Sequence, residues 1–199
     1  MPRSDALSNP GTSKVFLYLV KGITNPKAIA DELEIKPPPV IQQLRRLQNL
    51  GLVELGKKDG RAQNYKILWK NFVDRFAKEA SKIRISPGDI RISAGINYGQ
   101  IDMEIESLKT NRFFHRFVRL YLQNFVSMDE SKWPTIAEII DNTNAVMTML
   151  TNFQKKRQFD DPDKQEFFDK MRTWYERNTR FPTWIRDNMD KAITDTLNS

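Results

Sequence analysis

Pro38, Ile41, Gln42 and Arg45 recur at three- and four-residue steps, so a helix would set them on one face. A glutamine amide on such a face can pair bidentately with adenine, and an arginine guanidinium with guanine. Ile41 offers an aliphatic surface that suits a thymine methyl. Gln43 and Arg46 flank this face and suit phosphate oxygens, and Lys36 precedes the helix. A second basic group, Lys57, Lys58 and Arg61, surrounds an Asp59-Gly60 turn, from which cations could reach a phosphate backbone or an adjacent minor groove. The chemistry on offer is recognition of a polyanion with readable edges rather than bond making.

Other chemistry is scarce. The chain has no cysteine and one histidine, His115, which excludes disulfides, thiolate catalysis and Cys/His zinc clusters. No Gly-rich phosphate loop, nucleophile elbow or His-carboxylate pair is visible, so neither catalysis nor a cofactor is expected. Asp160, Asp161 and Asp163 resemble a cation loop, but helix capping explains them more simply, and no metal is expected. His115 lies between aromatics as a packed or solvated side chain. Lys155-Lys156-Arg157 reads as a solvated helix end, and Trp133, Trp174 and Trp184 as packing residues.

With 39% apolar and 29% charged residues, the 199-residue chain has the composition of a folded protein that can bury a core without staples. No apolar run approaches the ~20 residues of a membrane span, and the first residues lack the apolar core of a signal peptide. A cytoplasmic protein is expected. Charge is unevenly placed. Residues 1–82 hold 15 Lys and Arg against 8 Asp and Glu, whereas residues 83–199 hold 17 of each, so the whole net +7 sits in the first part. A polyanionic partner for that part follows.

The elements that would position the basic residues can be read in turn. Val40, Leu44 and Leu47 recur at i, i+4 and i+7, so one face of their helix is buried. This helix is expected to begin at Pro38 or Pro39, with Lys36-Pro37 extended because a residue before proline is pushed from the helical region. Gly51 is its C-cap glycine. Upstream, a helix from about Ser13 to Lys21 carries Val15, Phe16, Leu19 and Val20 on one face, with Thr12 or Ser13 as its cap and Gly22 as its end. Asn25-Pro26 opens another, to about Leu33, which buries Ala30 and Leu33 with Ile29 nearby, and a turn through Glu34, Ile35 and Lys36 follows. The first eleven residues read as a loose arm.

Downstream, Leu52 to Leu55 and Gln63 to Leu68 alternate as short strands around the Asp59-Gly60 turn. A helix from Trp69 to about Ser81 carries Phe72, Val73, Phe76 and Ala80. Residues 83–100, with a Pro87-Gly88 turn, form a small hairpin or connector and mark a domain boundary. Helical spacing then runs from Ile101 to Phe125. Thr135 and Glu138 form a capping box that opens a helix to about Lys156, Asp161-Pro162 opens another, and Pro182 opens the last.

The stretch from Asp31 to Ile67 resembles winged-helix regulators of the ArsR and MarR type. Leu44, Arg46, Leu47, Gly51, Leu52, Val53, Gly60, Arg61 and Tyr65 fall in step with the pattern, over about residues 13–80. The resemblance implies a winged-helix fold, sequence-specific DNA binding, usually as a homodimer, and transcriptional control. Two features depart from it. Lys36-Pro37-Pro38-Pro39 stands where the family often has Ser or Thr, and the Cys and His ligands of its metal-sensing branch are missing, so metal sensing does not carry over.

The expectation is a mainly α, α+β chain: an N-terminal winged helix-turn-helix domain over residues 1–82, a linker or hairpin over 83–100, and a C-terminal α-helical domain over 101–199 for dimerisation or effector sensing. Its expected role is a DNA-binding transcription regulator that acts on double-stranded DNA as a homodimer and answers to a small-molecule or protein effector. Phe113, Phe114, Phe117, Tyr121 and Phe125 are spread too widely round one helix for a single stripe, so another helix or a second subunit should cover them. The alternative is a winged-helix interaction module within a larger assembly.

Overall fold

Three of the described helices start at an amide or carboxylate side chain followed by proline. Asn9 stands between α1, Asp5–Ser8, and α2, Pro10–Lys21, and opens α2 by accepting from the Thr12 N–H at 2.9 Å. Asn25 accepts from the Lys27 and Ala28 N–H groups at 2.8 and 3.3 Å and opens α3, Pro26–Glu32. Asp161 accepts from Asp163 and Lys164 N–H at 3.0 and 3.3 Å and precedes a later helix at Pro162. In each case the capping oxygen satisfies N–H groups that have no intrahelical acceptor, and proline gives up only an N–H that had none. The structure is a computed structural model that describes residues 5–60, 62–80, 106–143, 158–176 and 183–199.

The expected loose arm is partly ordered, because α1 buries Leu7 and the Ser13 hydroxyl donates to the Leu7 carbonyl at 3.1 Å. The cap of α2 is Asn9 rather than Thr12 or Ser13, which lie inside the helix and are buried. Gly22 ends α2 at φ 97, the left-handed region that a Cβ disfavours. In α3 the buried pair is Ile29 and Ala30, while Leu33 is the half-buried C-cap.

Helix α4 is Pro37–Asn49, so it starts one or two residues before the expected Pro38 or Pro39. Proline's fixed φ is already helical, and a first-turn position loses no intrahelical hydrogen bond. Its last turn closes through Leu52 N–H to Leu47 O at 3.0 Å, with Gly51 at φ 67 just past the C-cap Leu50. Strands β1, Val53–Asp59, and β2, Ala62–Ile67, form an antiparallel hairpin, and β1 runs further than its alternation implied. The register pairs Leu55 with Tyr65 but Lys58 with Gln63, so β1 carries one extra residue. The Gln63 amide closes that bulge by donating to the Gly56 carbonyl at 3.0 Å. Tyr65 N–H also donates to Thr24 O at 2.9 Å, which ties β2 to the α2–α3 connection.

Helix α5 is Trp69–Ala80 and buries Phe72, Val73, Phe76 and Ala77. Helix α6, Arg112–Val126, is shorter than the continuous helix expected from Ile101. A 3-10 turn at Leu108–Thr110 precedes it, and the buried Asn111 restarts the chain by accepting from Phe113 and Phe114 N–H at 3.0 and 3.2 Å. Then come α7, Ile136–Thr143, α8, Pro162–Glu176, and α9, Thr183–Leu197. The Thr135–Glu138 capping box is present in both directions, Thr135 N–H to Glu138 at 2.7 Å and Glu138 N–H to Thr135 at 3.1 Å. Residues 83–100, Ile101, Ile105, Lys155-Lys156-Arg157, Pro182 and the helix expected beyond Thr143 lie outside the described residues, as do the side chains of Trp174 and Trp184.

The described part is therefore mainly helical with one small antiparallel sheet. Among the described residues no helix is long and apolar enough to cross a membrane. The chain gathers into two compact units, Met1–Phe72 with Tyr121–Ile139, and Val73–Leu120 with Ile140–Ser199. This division differs from a cut at residues 83–100, because residues after Tyr121 pack onto α2. The Tyr18 hydroxyl bonds the Glu130 carboxylate, Lys21 Nζ lies 3.2 Å from Glu130, and the Tyr18 and Trp133 rings meet edge-on at 5.1 Å. Ile136 N–H donates to Ser13 Oγ at 3.0 Å. Burial, then the bond to Glu130, pushes the Tyr18 hydroxyl above the usual phenol range.

The first unit's core is Val15, Phe16, Leu17, Ile29, Ala30, Val40, Leu44, Leu47, Leu52 and Val53, with Phe16 stacked on Phe72 at 4.8 Å. In the second unit, Phe114 and Phe117 lie 6.1 Å apart and Phe117 and Phe167 5.8 Å apart.

Candidate nucleic-acid interface

Helix α4 is two-sided. Val40, Leu44 and Leu47 are wholly buried, each a contribution of about 1.5–3 kcal/mol, and they fix which side chains face outward. Pro38, Gln42, Arg45 and Asn49 follow at i, i+4, i+7 and i+11 on the opposite side, and all four are exposed. Pro39 and Arg46 are exposed beside them, Lys36 is exposed at the N-cap, and Ile41 is half-buried.

Gln43 has a different position from its neighbour Gln42. Its carbonyl oxygen accepts from the Thr12 hydroxyl of α2 and from Arg46 Nη1, the latter at 3.2 Å. The residue expected to meet phosphate therefore joins α2 to α4 and orients Arg46. Sequence reasoning missed this bond because Thr12 lies 31 positions away. It also missed Asn49, although the step from Arg45 was available.

The first turn of α4 has unusual chemistry. A helix start ordinarily exposes N–H groups that attract anions. Pro37, Pro38 and Pro39 have none, no side chain caps the turn, and no acidic residue lies in it. Just before it, Glu34 holds a left-handed φ of 53, and Ile35 N–H donates to Ala30 O at 3.0 Å, which closes α3. Ile35 is 46% exposed.

The hairpin supplies Lys57 and Lys58, both exposed, beside Leu55, which is 53% exposed. Gly60 takes φ 56 in the two-residue loop between the paired Asp59 and Ala62, and Arg61 lies outside the described residues. Glu54 is paired with Lys66 at 2.8 Å across the strands. Among the described residues Lys36, Arg45, Lys57 and Lys58 have no ion-pair partner.

The other candidates have structural roles. His115 Nε2 lies 2.6 Å from the Lys109 carbonyl. Asp161 caps α8, and Arg112 pairs with Asp161 and with Asp163. Asn111 Nδ2 donates to Asp163 O and Glu166 Oε2, both at 2.9 Å, and Glu166 is held below the usual carboxylate range chiefly by its bond from Lys170. Among the described residues no His/Asp/Glu group is arranged to hold a metal ion. Compared with protein-family models, with curated proteins and with solved structures, the chain matches none.

Proposed function

We propose that this chain is a sequence-specific DNA-binding transcription regulator of the winged helix-turn-helix type. In this reading α2, α3 and α4 form the helical part, α4 enters the major groove, and the β1–β2 hairpin is the wing. One observation carries the reading: a helix with a fully buried inner face presents Gln42, Arg45, Arg46 and Asn49 outward, with no carboxylate in its first turn. Gln42 and Arg45 read base edges, and Lys57, Lys58 and Arg61 hold the backbone or a minor groove. A DNA partner puts the working protein in the compartment that holds the genome.

A single helix of this kind reads few base pairs, so a homodimer on two half-sites is the working form. The aromatics of α6 do not add to that argument. Phe114, Phe117, Tyr121 and Phe125 are buried within one chain, and Phe113 is half-buried under the cations of Arg112 and Lys164. The dimer is tested by light scattering, where twice the chain mass is expected without DNA and that mass plus the duplex with it.

The exposed Ile35 and Leu55 favour a second reading, an interaction module in a larger assembly. Anisotropy titrations of the full chain with random-sequence duplex, over a series of salt concentrations, separate the two. Under the regulator reading log affinity falls linearly with log salt, and Lys57→Glu with Lys58→Glu weakens binding to every sequence. Each phosphate that is no longer neutralised shallows the slope by about 0.9. Binding that ignores both salt and charge reversal favours the interaction module.

A further inference from the structure

We infer that the first turn of α4 reads thymine through its C5-methyl group, with Pro38 and Pro39 as the contacting residues and Ile41 one turn on from Pro38. The inference rests on the DNA-binding reading and names what that helix selects. The turn has nothing to give a phosphate, since the prolines at the first three helical positions have no N–H and no capping side chain replaces them. It presents hydrocarbon instead: Pro38 and Pro39 are exposed, Ile41 is half-buried and Ile35, just before the turn, is 46% exposed.

Charge identifies the occupant. The apolar turn is flanked by Lys36 on one side and by Arg45 and Arg46 along the same helix, all exposed. An apolar protein groove or an acyl chain would have to desolvate these cations, whereas a DNA groove brings phosphates to them. The apolar group on the major-groove edge of a base pair is the thymine methyl. Proline suits the contact because its ring loses little conformational entropy when it is covered. Pro38 also heads the stripe that continues through Gln42 and Arg45, so the thymine lies next to the base pair that Gln42 contacts.

The test uses the full chain and duplexes it selects from a randomised library. In each selected duplex every thymine is replaced singly by deoxyuridine, which keeps the pairing and O4 and removes only the methyl. At one or two positions per half-site affinity should fall about fourfold per methyl, the value of one buried CH₂-sized group. The P38S/P39S double variant should lose the thymine preference at those positions and be indifferent to deoxyuridine there. Serine is well tolerated at a helix start, and circular dichroism checks that helix content is retained. Salt-dependent binding with silent replacements, or an equal deoxyuridine loss in the double variant, overturns this inference alone. Failure of the full chain to retain any duplex overturns both readings and assigns the turn to a protein partner.

Discussion

Gln42 and Arg45 project from the exposed side of α4, while Gln43 is held by Thr12 and Arg46. Gln42→Ala and Arg45→Ala should each cost about 1–3 kcal/mol at particular base pairs, seen as a flattened preference in a base-substitution binding series. Gln43→Ala should instead lower stability by about 1 kcal/mol in urea unfolding, because it removes an acceptor between two helices. A second residue-scale expectation concerns Glu166. Its carboxyl sits below the ordinary range because Lys170 donates to it at 2.7 Å, with help from Asn111 and against a burial penalty. A depressed folded-state value means that the stabilisation is fully present above the unfolded carboxylate range and is lost as pH falls through the folded one. Carboxyl NMR titration of Lys170→Met should show the Glu166 midpoint moving up towards the ordinary value. An unmoved midpoint would shift the credit to Asn111.

At the scale of elements, the connection into α4 is the strained one. Glu34 takes φ 53 in a closing motif that glycine ordinarily occupies, and a side chain there costs roughly 1–2 kcal/mol. Glu34→Gly should therefore raise the urea midpoint, by the equivalent of about 0.5–1 kcal/mol once glycine's extra unfolded-state entropy is subtracted. A drop in stability would show that the Glu34 side chain makes a contribution larger than its strain. Gly51, at φ 67, serves the same purpose after α4, where the Asn71 amide also donates to its carbonyl at 2.9 Å. The two turns together hold α4 by its ends, which keeps its outer stripe aimed in one direction.

For the whole molecule, the grouping of Tyr121–Ile139 with Met1–Phe72 matters most. Trp133 is nearly buried, packs edge-on against Tyr18 and donates its indole N–H to Met128 O at 3.2 Å. Trp133→Ala should cost about 3–5 kcal/mol, a typical loss for a large buried aromatic. Because α2 also carries Thr12, which bonds Gln43 on α4, DNA affinity should fall in the same variant. Calorimetry and anisotropy on one preparation check both effects. A fragment ending at residue 82 lacks Glu130, Trp133 and Ile136, so it should unfold at lower urea than the full chain in spite of holding the net +7.

What the amino-acid sequence determined by itself is local. The start at Asn25-Pro26, the ends at Gly22 and Gly51, the Thr135–Glu138 box, the cap at Asp161 and the buried stripe of Val40, Leu44 and Leu47 all act within about one or two turns of chain. Propensity and periodicity report such effects directly. Tertiary structure decided the rest. Asn9 caps α2 by the same local signal as Asn25, but the partners of the Thr12 and Ser13 hydroxyls inside that helix, Gln43 and Ile136, come from distant segments. Helical spacing runs through Asn111 unbroken, yet its amide finds Asp163 and Glu166 more than 50 positions away and breaks the helix there. Glu130 and Trp133 reach α2 across more than 100 residues. No window of sequence contains such pairings, since their free energy is realised only when distant segments have already been brought together.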